Sequence, residues 1–412
     1  MTYKGTKKRV PEIARELGVD GVVEGSVLRE GDQVRVTAEL IDGRTDRHVW
    51  AGSYQRAVTS VLALQGDVAK AIAEEVSIRV TPQEQAWLAR ERPVNAEAQE
   101  LYLLGRYRLN LDDSAGALTY FQKALQKDPN FAPAHAAVAD IYGGFGEVGP
   151  MGGPKAFAIQ KAEAYKSIAL DESLPEGHVE LAEALLLLDW DWANAEREFK
   201  RTLKLNPNAA YSHLQYSRYL DRAGHSPEAL AEMKLAQELD PVSSRASLFL
   251  VYTYYHARMY DQALKQIERA KELGPTYNEI PEFRETLAFQ LGLIYAEKGM
   301  YADAIKEFRE FDEKPKFLGH LGNVYARSGR VAEARAIVRK LKEHLAKDKE
   351  VEFHLALVYA ALGEKDEAFA SLEKSFEARD PAFLGLKGDP CLDPLRSDPR
   401  FDSLVRRAGF PT

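Results

Sequence analysis

The stretch AQELYLLGRYRLNLDDSAGALTYFQKALQKDPNF, residues 98–131, decides the fold of this chain. Small and apolar side chains recur in it at helical spacing, and a proline stands close to its end. Such spacing predicts two amphipathic helices joined by a short turn, in a unit of 34 residues. The pattern residues, at unit positions 7, 8, 20, 24, 27 and 32, are Leu104, Gly105, Ala117, Phe121, Ala124 and Pro129.

The same frame returns along most of the chain, and we count eight units. Two of the copies repeat it closely at the same interval, and the others are looser. The pairs at positions 7 and 8 of the later units are Val138-Ala139, Leu181-Ala182, Tyr216-Ser217, Leu250-Val251, Leu291-Gly292, Leu321-Gly322 and Leu355-Ala356.

The residue types have a mechanical role in this frame. Helices can approach closely only where side chains are small. We therefore expect Gly or Ala at position 8 and Ala at position 20 to be the points where helices contact each other. The units resemble tetratricopeptide repeats. That resemblance implies a mainly α fold, a right-handed α-solenoid of helix-turn-helix repeats. We expect nearly local contacts and an open inner wall.

The first part of the chain has the period of strands instead. Pro11 to Leu17 predicts a short helix that Gly18 ends. Three strand patterns follow, and a helical pattern comes after them. The predicted strands are Gly21 to Arg29, Gln33 to Asp42 and Arg47 to Tyr54, and the predicted helix is Val61 to Val76.

This small α/β region resembles the second half of a TolB-type N-terminal domain. The segments that carry the resemblance are VPEIARELGVDGVVEGSV at 10–27, VRVTAELID at 34–42 and HVWAGSY at 48–54. The family has a further strand, helix and strand before this point, so we expect a fragment or a late start codon. The tail LDPLRSDPRF at 392–401 resembles the ending of bacterial proteins that join such a domain to tetratricopeptide repeats.

These patterns divide the chain into four parts. We predict a partial TolB-type domain at 1–80, a linker at 81–96, the repeat array at 97–376 and an Asp-Pro-rich tail with a short capping helix at 377–412. Two insertions interrupt the array. They are a Gly/Pro-rich loop at 143–154 and a segment at 276–282.

Composition excludes several classes of function. The 412 residues carry a formal net charge of -8, which argues against general nucleic-acid binding because phosphate neutralisation needs a basic face. No apolar run is long enough to span a membrane. The single cysteine, Cys391, excludes an internal disulfide. The compartment stays open: cytoplasmic if the chain is complete, periplasmic if a transmembrane helix or signal lies upstream.

We expect no cofactor, no metal and no catalytic residue. His135, His178 and His213 share position 4 of their units, which favours packing over joint ligation. No motif gives Cys391 a partner or forms a phosphate loop. Carboxylates of the mapped stripe fall on separate repeats. They are Asp140, Glu176, Glu183, Asp221 and Glu350.

The resemblance also implies where a partner binds. In tetratricopeptide arrays, positions 2, 5, 9 and 12 of each first helix face the concave groove. Aromatic and Arg side chains there are the types that dominate interface energetics. Lys316 and Asn323 alone do not form the carboxylate clamp of chaperone-tail receptors. The candidate groove residues are Tyr102, Arg106, Tyr211, Arg218, Arg245, Tyr252, Tyr255, Phe289 and Asn323.

The leading hypothesis is a non-enzymatic module that binds a protein or peptide in its groove, as the sensory or scaffold part of a bacterial signalling or transcription-regulatory protein. In similar proteins this pair often follows a winged-helix DNA-binding domain, an adenylate cyclase domain or a protein kinase domain. One alternative is a cell-envelope assembly protein, and a weaker one is an enzyme with an unrecognised groove site. Self-association through the incomplete N-terminal domain is a further partner hypothesis.

Overall fold

The structure, a computed structural model, describes residues 6–31, 33–57, 61–75, 95–109, 111, 113–148, 153–272, 281–345 and 351–411. Two compact units divide the chain, Met1–Val138 and Ala139–Thr412. Their boundary falls inside a repeat helix. The predicted linker lies almost wholly outside the described residues. Within the described ranges, no helix is long and apolar enough to cross a membrane.

The N-terminal elements follow the predicted order. Helix α1 spans Val10–Leu17 and ends at Gly18, whose φ of 68° is the left-handed conformation expected of a glycine C-cap. An antiparallel sheet follows in the order β1-β2-β3, and helix α2 packs on it. The bounds are Gly21–Glu30 for β1, Gln33–Asp42 for β2, His48–Ala57 for β3 and Val61–Glu75 for α2.

The pleat of β2 alternates as predicted until its last residues. Val34, Ala38 and Leu40 are buried on one face. Ile41 is buried as well, because the pairing with β3 shifts register between Leu40 and Ile41. Gly43 follows the strand at a point where an added Cβ would lie 2.6 Å from the Cβ of Ala14, so α1 approaches the backbone closely there.

Within the residues that the structure describes, eight helix pairs follow, and they confirm the predicted repeats. We call α3, α5, α7, α9, α11, α13, α15 and α17 the first helices and their partners the second helices. A π-helical turn, Leu185–Asp189, extends α7. The bounds are Ala96–Leu109 (α3), Ser114–Lys127 (α4), Ala132–Val148 (α5), Gly153–Leu170 (α6), Pro175–Ala184 (α7), Trp192–Leu205 (α8), Ala210–Ala223 (α9), Ser226–Leu239 (α10), Ser244–His256 (α11), Tyr260–Glu272 (α12), Pro281–Glu297 (α13), Tyr301–Arg309 (α14), Pro315–Arg327 (α15), Val331–Leu345 (α16), Glu352–Leu362 (α17) and Lys365–Glu377 (α18).

Small side chains mark the helix crossings, as the frame requires. Ala117, Ala229 and Ala263 at position 20 are all 0% exposed. A Cβ added to Gly105 or Gly292 at position 8 would lie 2.4 Å from the aromatic ring at position 24 of the same unit. At these points the phenylalanine ring of the second helix therefore packs directly on the backbone of the first helix.

Three histidines at position 4 have a structural role. The Nε2 atoms of His135, His178 and His213 lie 3.0, 2.8 and 2.8 Å from the carbonyl oxygen of the residue six positions earlier. In His178 and His213, Nδ1 also pairs with a glutamate of the second helix. Each of these histidines therefore ties a first helix to the turn that precedes it.

The predicted loop at 143–154 is mostly helical. Helix α5 continues to Val148 and α6 begins at Gly153, while residues 149–152 lie outside the described part. Packing favours this result, because an added Cβ at Gly146 would lie 2.4 Å from Phe157. Of the insertion at 276–282, the structure describes Pro281 onward, where α13 begins.

The tail after α18 forms two 3₁₀ turns and the last helix. The turns are Pro381–Gly385 and Pro390–Leu395, and helix α19 is Pro399–Arg407. Asp380, Asp389 and Asp398 accept hydrogen bonds from backbone N–H groups at the starts of these elements, which confirms the predicted Asp-Pro caps.

The tail does more than cap the last repeat. Its side chains at Phe383, Leu386 and Leu392 are 0% exposed and join the core of the second unit. It also returns to the third repeat, where Trp192 Nε1 donates to Ala408 O at 3.0 Å. Two ring pairs add to this contact: the centres of the stacked rings of Trp190 and Phe383 lie 5.4 Å apart, and those of Trp192 and Phe410 lie 4.6 Å apart.

Candidate partner-binding surface

The candidate residues of the first repeat lie in the first unit. Tyr102 is half-buried on α3. The centre of its ring lies 5.5 Å from that of Phe121 and 5.3 Å from that of Phe131. Arg106, one turn further along the helix, is exposed. Arg106 is therefore the candidate with a free surface in this unit, and Tyr102 supports the repeat core.

Three candidates of the second unit meet in one polar cluster. We call it the charged network. It joins the first helices of the second to fifth repeats. Its members are Asp140 and Glu147 from α5, Glu180 and Glu183 from α7, Tyr211, Arg218 and Arg222 from α9, and Arg245 from α11.

The hydroxyl of Tyr211 lies between two carboxyl groups of the charged network, those of Asp140 and Glu180. Tyr211 Oη lies 2.8 Å from Asp140 Oδ1, 3.0 Å from Glu180 Oε1 and 3.0 Å from Gln215 Nε2. A phenol has one proton and two acceptor sites. Tyr211 therefore donates to Asp140 and accepts from Gln215, and the contact with Glu180 requires a protonated carboxyl.

The surroundings of Glu180 favour that protonated form. Burial raises the pKa of Glu180 well above its usual value, and the nearby charges of Asp140 and Glu183 raise the pKa further. Burial also raises the pKa of Tyr211, which keeps its proton. Gln160 donates to both Glu180 and Glu183, at 3.0 and 2.9 Å.

The guanidinium groups balance the remaining carboxylates. Arg218 Nη1 donates to Glu183 at 2.9 Å, and Arg218 Nη2 pairs with Glu147. Arg222 reaches the same Glu147 oxygen at 3.1 Å. Although burial raises the pKa of Glu147, the charges of Arg218, Arg222 and Arg245 lower it to about 2, so this carboxylate stays ionised.

Arg245 lies at the solvent edge of the charged network. Its Nη1 is 3.3 Å from Asp140 Oδ1, and its guanidinium carbon lies 5.2 Å from the centre of the Tyr211 ring. Its side chain is 38% exposed, against 8% for Arg218. Since α5 and α11 belong to the second and fifth repeats, the expectation of nearly local contacts is wrong here.

The two tyrosine candidates of α11 differ in their exposure. Tyr252 is half-buried on α11, in a stripe with Phe249 and His256. Tyr255 faces elsewhere, is 2% exposed, and packs on Tyr260. Burial raises the pKa of Tyr255 well above its usual value, and Cys391 and Asp389 of the tail raise this pKa further.

Phe289 and Asn323 are buried by their neighbours. Phe289 is 8% exposed, and the centre of its ring lies 5.1 Å from that of Phe317. Asn323 is 1% exposed, and its Nδ2 donates to Leu357 O at 3.0 Å. The expected open inner wall is therefore wrong in part for the second unit. The charged network joins first helices across Arg245 and Asp140, and Cys391 of the tail lies 3.6 Å from His320 on α15.

The expectation of scattered carboxylates is wrong in part. Asp140 and Glu183 share the charged network, and Asp221 pairs with His256 at 2.5 Å. Glu176 is exposed, and Glu350 lies outside the described residues. The sequence did contain an indication of the charged network. Position 9 of three successive repeats carries Asp140, Glu183 and Arg218, whose opposite charges can pair.

The contacts of Glu180 argue against its use in proton transfer. A raised carboxyl pKa in a cleft can mark a general acid. Glu180, however, is 2% exposed, and its two oxygens already contact Gln160 and Tyr211. A substrate would meet Arg245 and Asp140 at the edge before it met Glu180.

Comparisons with known proteins agree with the repeats. Family models described as tetratricopeptide repeat match residues 101–130, 217–278, 315–340 and 353–380. These ranges fall on the first, fourth, fifth, seventh and eighth predicted units. The chain therefore contains tetratricopeptide repeats, and the predicted mainly helical solenoid with a small N-terminal sheet is confirmed.

One curated relative and two solved structures illustrate the similarity. A protein of Rhizobium meliloti (strain 1021) named putative adenylate cyclase 3 is 32% identical over 191 residues, covering 44% of this chain and 32% of that protein. The chain thus spans about a third of that relative's length.

Both structures are repeat proteins with low identity. TTC0263, a thermophilic tetratricopeptide protein of Thermus thermophilus, is 22% identical with a TM-score of 0.39, over 47% of this chain and 98% of that one. YrrB, described as a tetratricopeptide protein with an unusual peptide-binding site, is 20% identical with a TM-score of 0.27, over 43% of this chain and 87% of that one.

Proposed function

We propose that this chain is a non-enzymatic interaction scaffold that binds a protein or peptide at the exposed edge of the charged network. Tetratricopeptide proteins are generally protein-interaction scaffolds. The observation that carries the site is Arg245, whose guanidinium is fixed by Asp140 and the Tyr211 ring while 38% of the side chain stays exposed. A fixed guanidinium loses little entropy on binding a carboxylate or a backbone carbonyl.

Tyr252 extends this surface along α11. It lies two turns from Arg245 on the same helix face, beside Phe249. We assign partner contact to Arg245 and Tyr252 in the second unit and to Arg106 in the first. Arg218, Tyr255, Phe289 and Asn323 are assigned to holding the first helices in place.

A photo-crosslinking amino acid tests the surface. Placed at Tyr252, it should capture a partner from the native lysate that the same group at Tyr165 does not capture. Tyr165 is a matched control because it is 50% exposed on a second helix. Equal capture at both positions would argue against the surface.

Affinity for the captured partner then tests Arg245 itself. We expect R245A to weaken binding about tenfold, the usual effect of losing an interface arginine. R197A is the control, since the Arg197 side chain is 70% exposed on the second helix α8. If R245A binds as tightly as R197A, the proposed site is wrong.

The proposed setting is a bacterial signalling protein in which this chain is the accessory part. The similarity to a protein named putative adenylate cyclase 3 supports that setting. We expect no cyclic AMP when the purified chain is incubated with ATP and a divalent cation. Cation-dependent formation of cyclic AMP by the chain would refute the scaffold assignment.

The TolB-type relationship of the N-terminal region is also a proposal, supported by the order of one helix, three antiparallel strands and one helix. Self-association there would use β1, an edge strand whose Val27 is 71% exposed. V27K should then lower the oligomeric state measured by light scattering, and an unchanged mass would contradict it.

A further inference from the structure

Three side chains with metal-ligating atoms meet where the tail crosses α15. His320, Asp389 and Cys391 each offer one ligand atom, and these atoms all lie within 4.8 Å of one another. His320 comes from α15, and the other two come from the start of the second 3₁₀ turn. No metal-binding sequence motif indicated this group, because His320 and Cys391 are 71 residues apart in the sequence.

The distances suit a tetrahedral metal ion. The Sγ of Cys391 lies 3.6 Å from the Nδ1 of His320. Zn–S bonds of about 2.3 Å and Zn–N bonds of about 2.0–2.1 Å at a tetrahedral angle place S and N about 3.6 Å apart. A Zn²⁺ ion between the two atoms would therefore need little movement of either side chain.

Burial and charge also suit an ion at this point. The exposed fractions are 7% for His320, 9% for Asp389 and 5% for Cys391. Asp389 accepts a backbone hydrogen bond from Cys391 and has no ion pair within the described residues. A divalent ion with one thiolate, one carboxylate and a neutral imidazole is neutral overall, which lowers the cost of burying Asp389.

An unpartnered hydroxyl points to a fourth position. Tyr255 is 2% exposed, and its Oη has no hydrogen-bond partner among the described atoms. A zinc ion held by three protein ligands keeps a fourth position for water. A water on the open coordination position would supply the missing hydrogen bond.

We propose that His320, Asp389 and Cys391 bind one Zn²⁺ ion, which fastens the C-terminal tail to the first helices of the second unit. Binding releases the thiol proton to solvent and forms the Zn–S bond. The three ligands are buried together only when the tail is packed, so the ion and the packed tail stabilise each other. The proposal is independent of the partner site at Arg245.

Cobalt substitution tests the site directly. The full chain, treated with chelator and then titrated with Co²⁺, should develop a thiolate-to-cobalt charge-transfer band that saturates at one equivalent. Because Cys391 is the only cysteine of the chain, that band reports this site alone. Zn²⁺ should then displace the band.

Variants separate the site from adventitious binding. C391A should abolish the band and keep the circular dichroism spectrum, and H320Q should weaken the apparent affinity at least tenfold. H225Q is the matched control, since His225 is a half-buried histidine outside the group. Wild-type chain without a band, or C391A with unchanged Zn²⁺ affinity, would overturn the proposal.

A thermal melt gives a second readout. Zn²⁺ should raise the melting temperature of the wild-type chain and of H225Q, and should leave that of C391A unchanged, because only the folded wild-type site binds the ion. An equal rise in C391A would mean that the ion acts elsewhere and would refute the role of the tail.

Discussion

Gly292 offers the sharpest test of the repeat packing. An added Cβ would lie 2.4 Å from Cε1 and 2.7 Å from Cζ of Phe308, a ring that is 0% exposed and held by Phe289, Phe317 and His320. Alanine gains about 1 kcal/mol over glycine in a helix interior. Overpacking costs about 1–3 kcal/mol. We therefore expect G292A to destabilise the second unit by about 1 kcal/mol.

Gly144 is the matched control. It also lies inside a first helix, α5, but an added Cβ meets nothing within 4 Å. G144A should therefore stabilise the chain by about 0.5–1 kcal/mol. Urea unfolding followed by far-ultraviolet circular dichroism measures both variants, and equal m-values make the midpoints comparable.

The double variant G292A/F308A completes the design. F308A alone should cost about 3–5 kcal/mol, because it leaves a cavity. In that background the ring is gone, so G292A should become stabilising. If G292A stabilises the wild-type chain as G144A does, the contact between first and second helices at position 8 is refuted.

Three further predictions concern the crossings, a charged pair and the tail. A229L should destabilise the chain by about 1–3 kcal/mol in thermal melts, because Ala229 is 0% exposed at position 20; an unchanged melt would reject the frame. Burial lowers the pKa of His213, but the hydrogen bond and charge of Glu232 raise it above its usual value. The pair therefore stabilises the folded chain fully below about pH 6.5, the usual histidine pKa. This contribution is lost as the pH rises through the raised pKa, so the urea midpoint of wild type should fall toward that of E232Q as the pH is raised above 6.5. Parallel midpoints would contradict this. W192F should cost about 1–3 kcal/mol by leaving Ala408 O unpaired, and it should speed hydrogen exchange at Gly409 and Phe410; unchanged exchange would argue against the bond.

The repeats were predictable because their contacts are local and recur. Gly105 and Phe121 are 16 positions apart in one unit, and the same spacing joins Gly292 to Phe308. A contact that repeats at a fixed interval leaves a readable pattern in the sequence. The β2 strand was predictable for a similar reason, since alternation along one strand reports one buried face.

The charged network was only partly predictable. Tyr211, Arg218 and Arg245 were identified by their unit positions. Their partners, however, depend on the angle by which each repeat is rotated relative to the one before it. Asp140 and Arg245 are 105 residues apart, so their contact depends on the summed rotation of the repeats between them. No residue pattern within one unit encodes that sum.

The path of the tail was also not predictable from the sequence alone. Its Asp-Pro pairs predicted the caps, which are local. Its return to Trp190 and Trp192 depends on the shape of the assembled second unit. The tail also places Cys391 3.6 Å from His320, which a spacing motif could not indicate.

The central claim is that the tail packs into the inner side of the second unit, so that partner binding is left to the edge around Arg245. Cys391 measures this directly, because it is the only thiol and is 5% exposed. In the presence of chelator, we expect a thiol reagent to react with the native chain at least about a hundredfold more slowly than with the urea-unfolded chain. Reaction at the unfolded rate under native conditions would contradict the account.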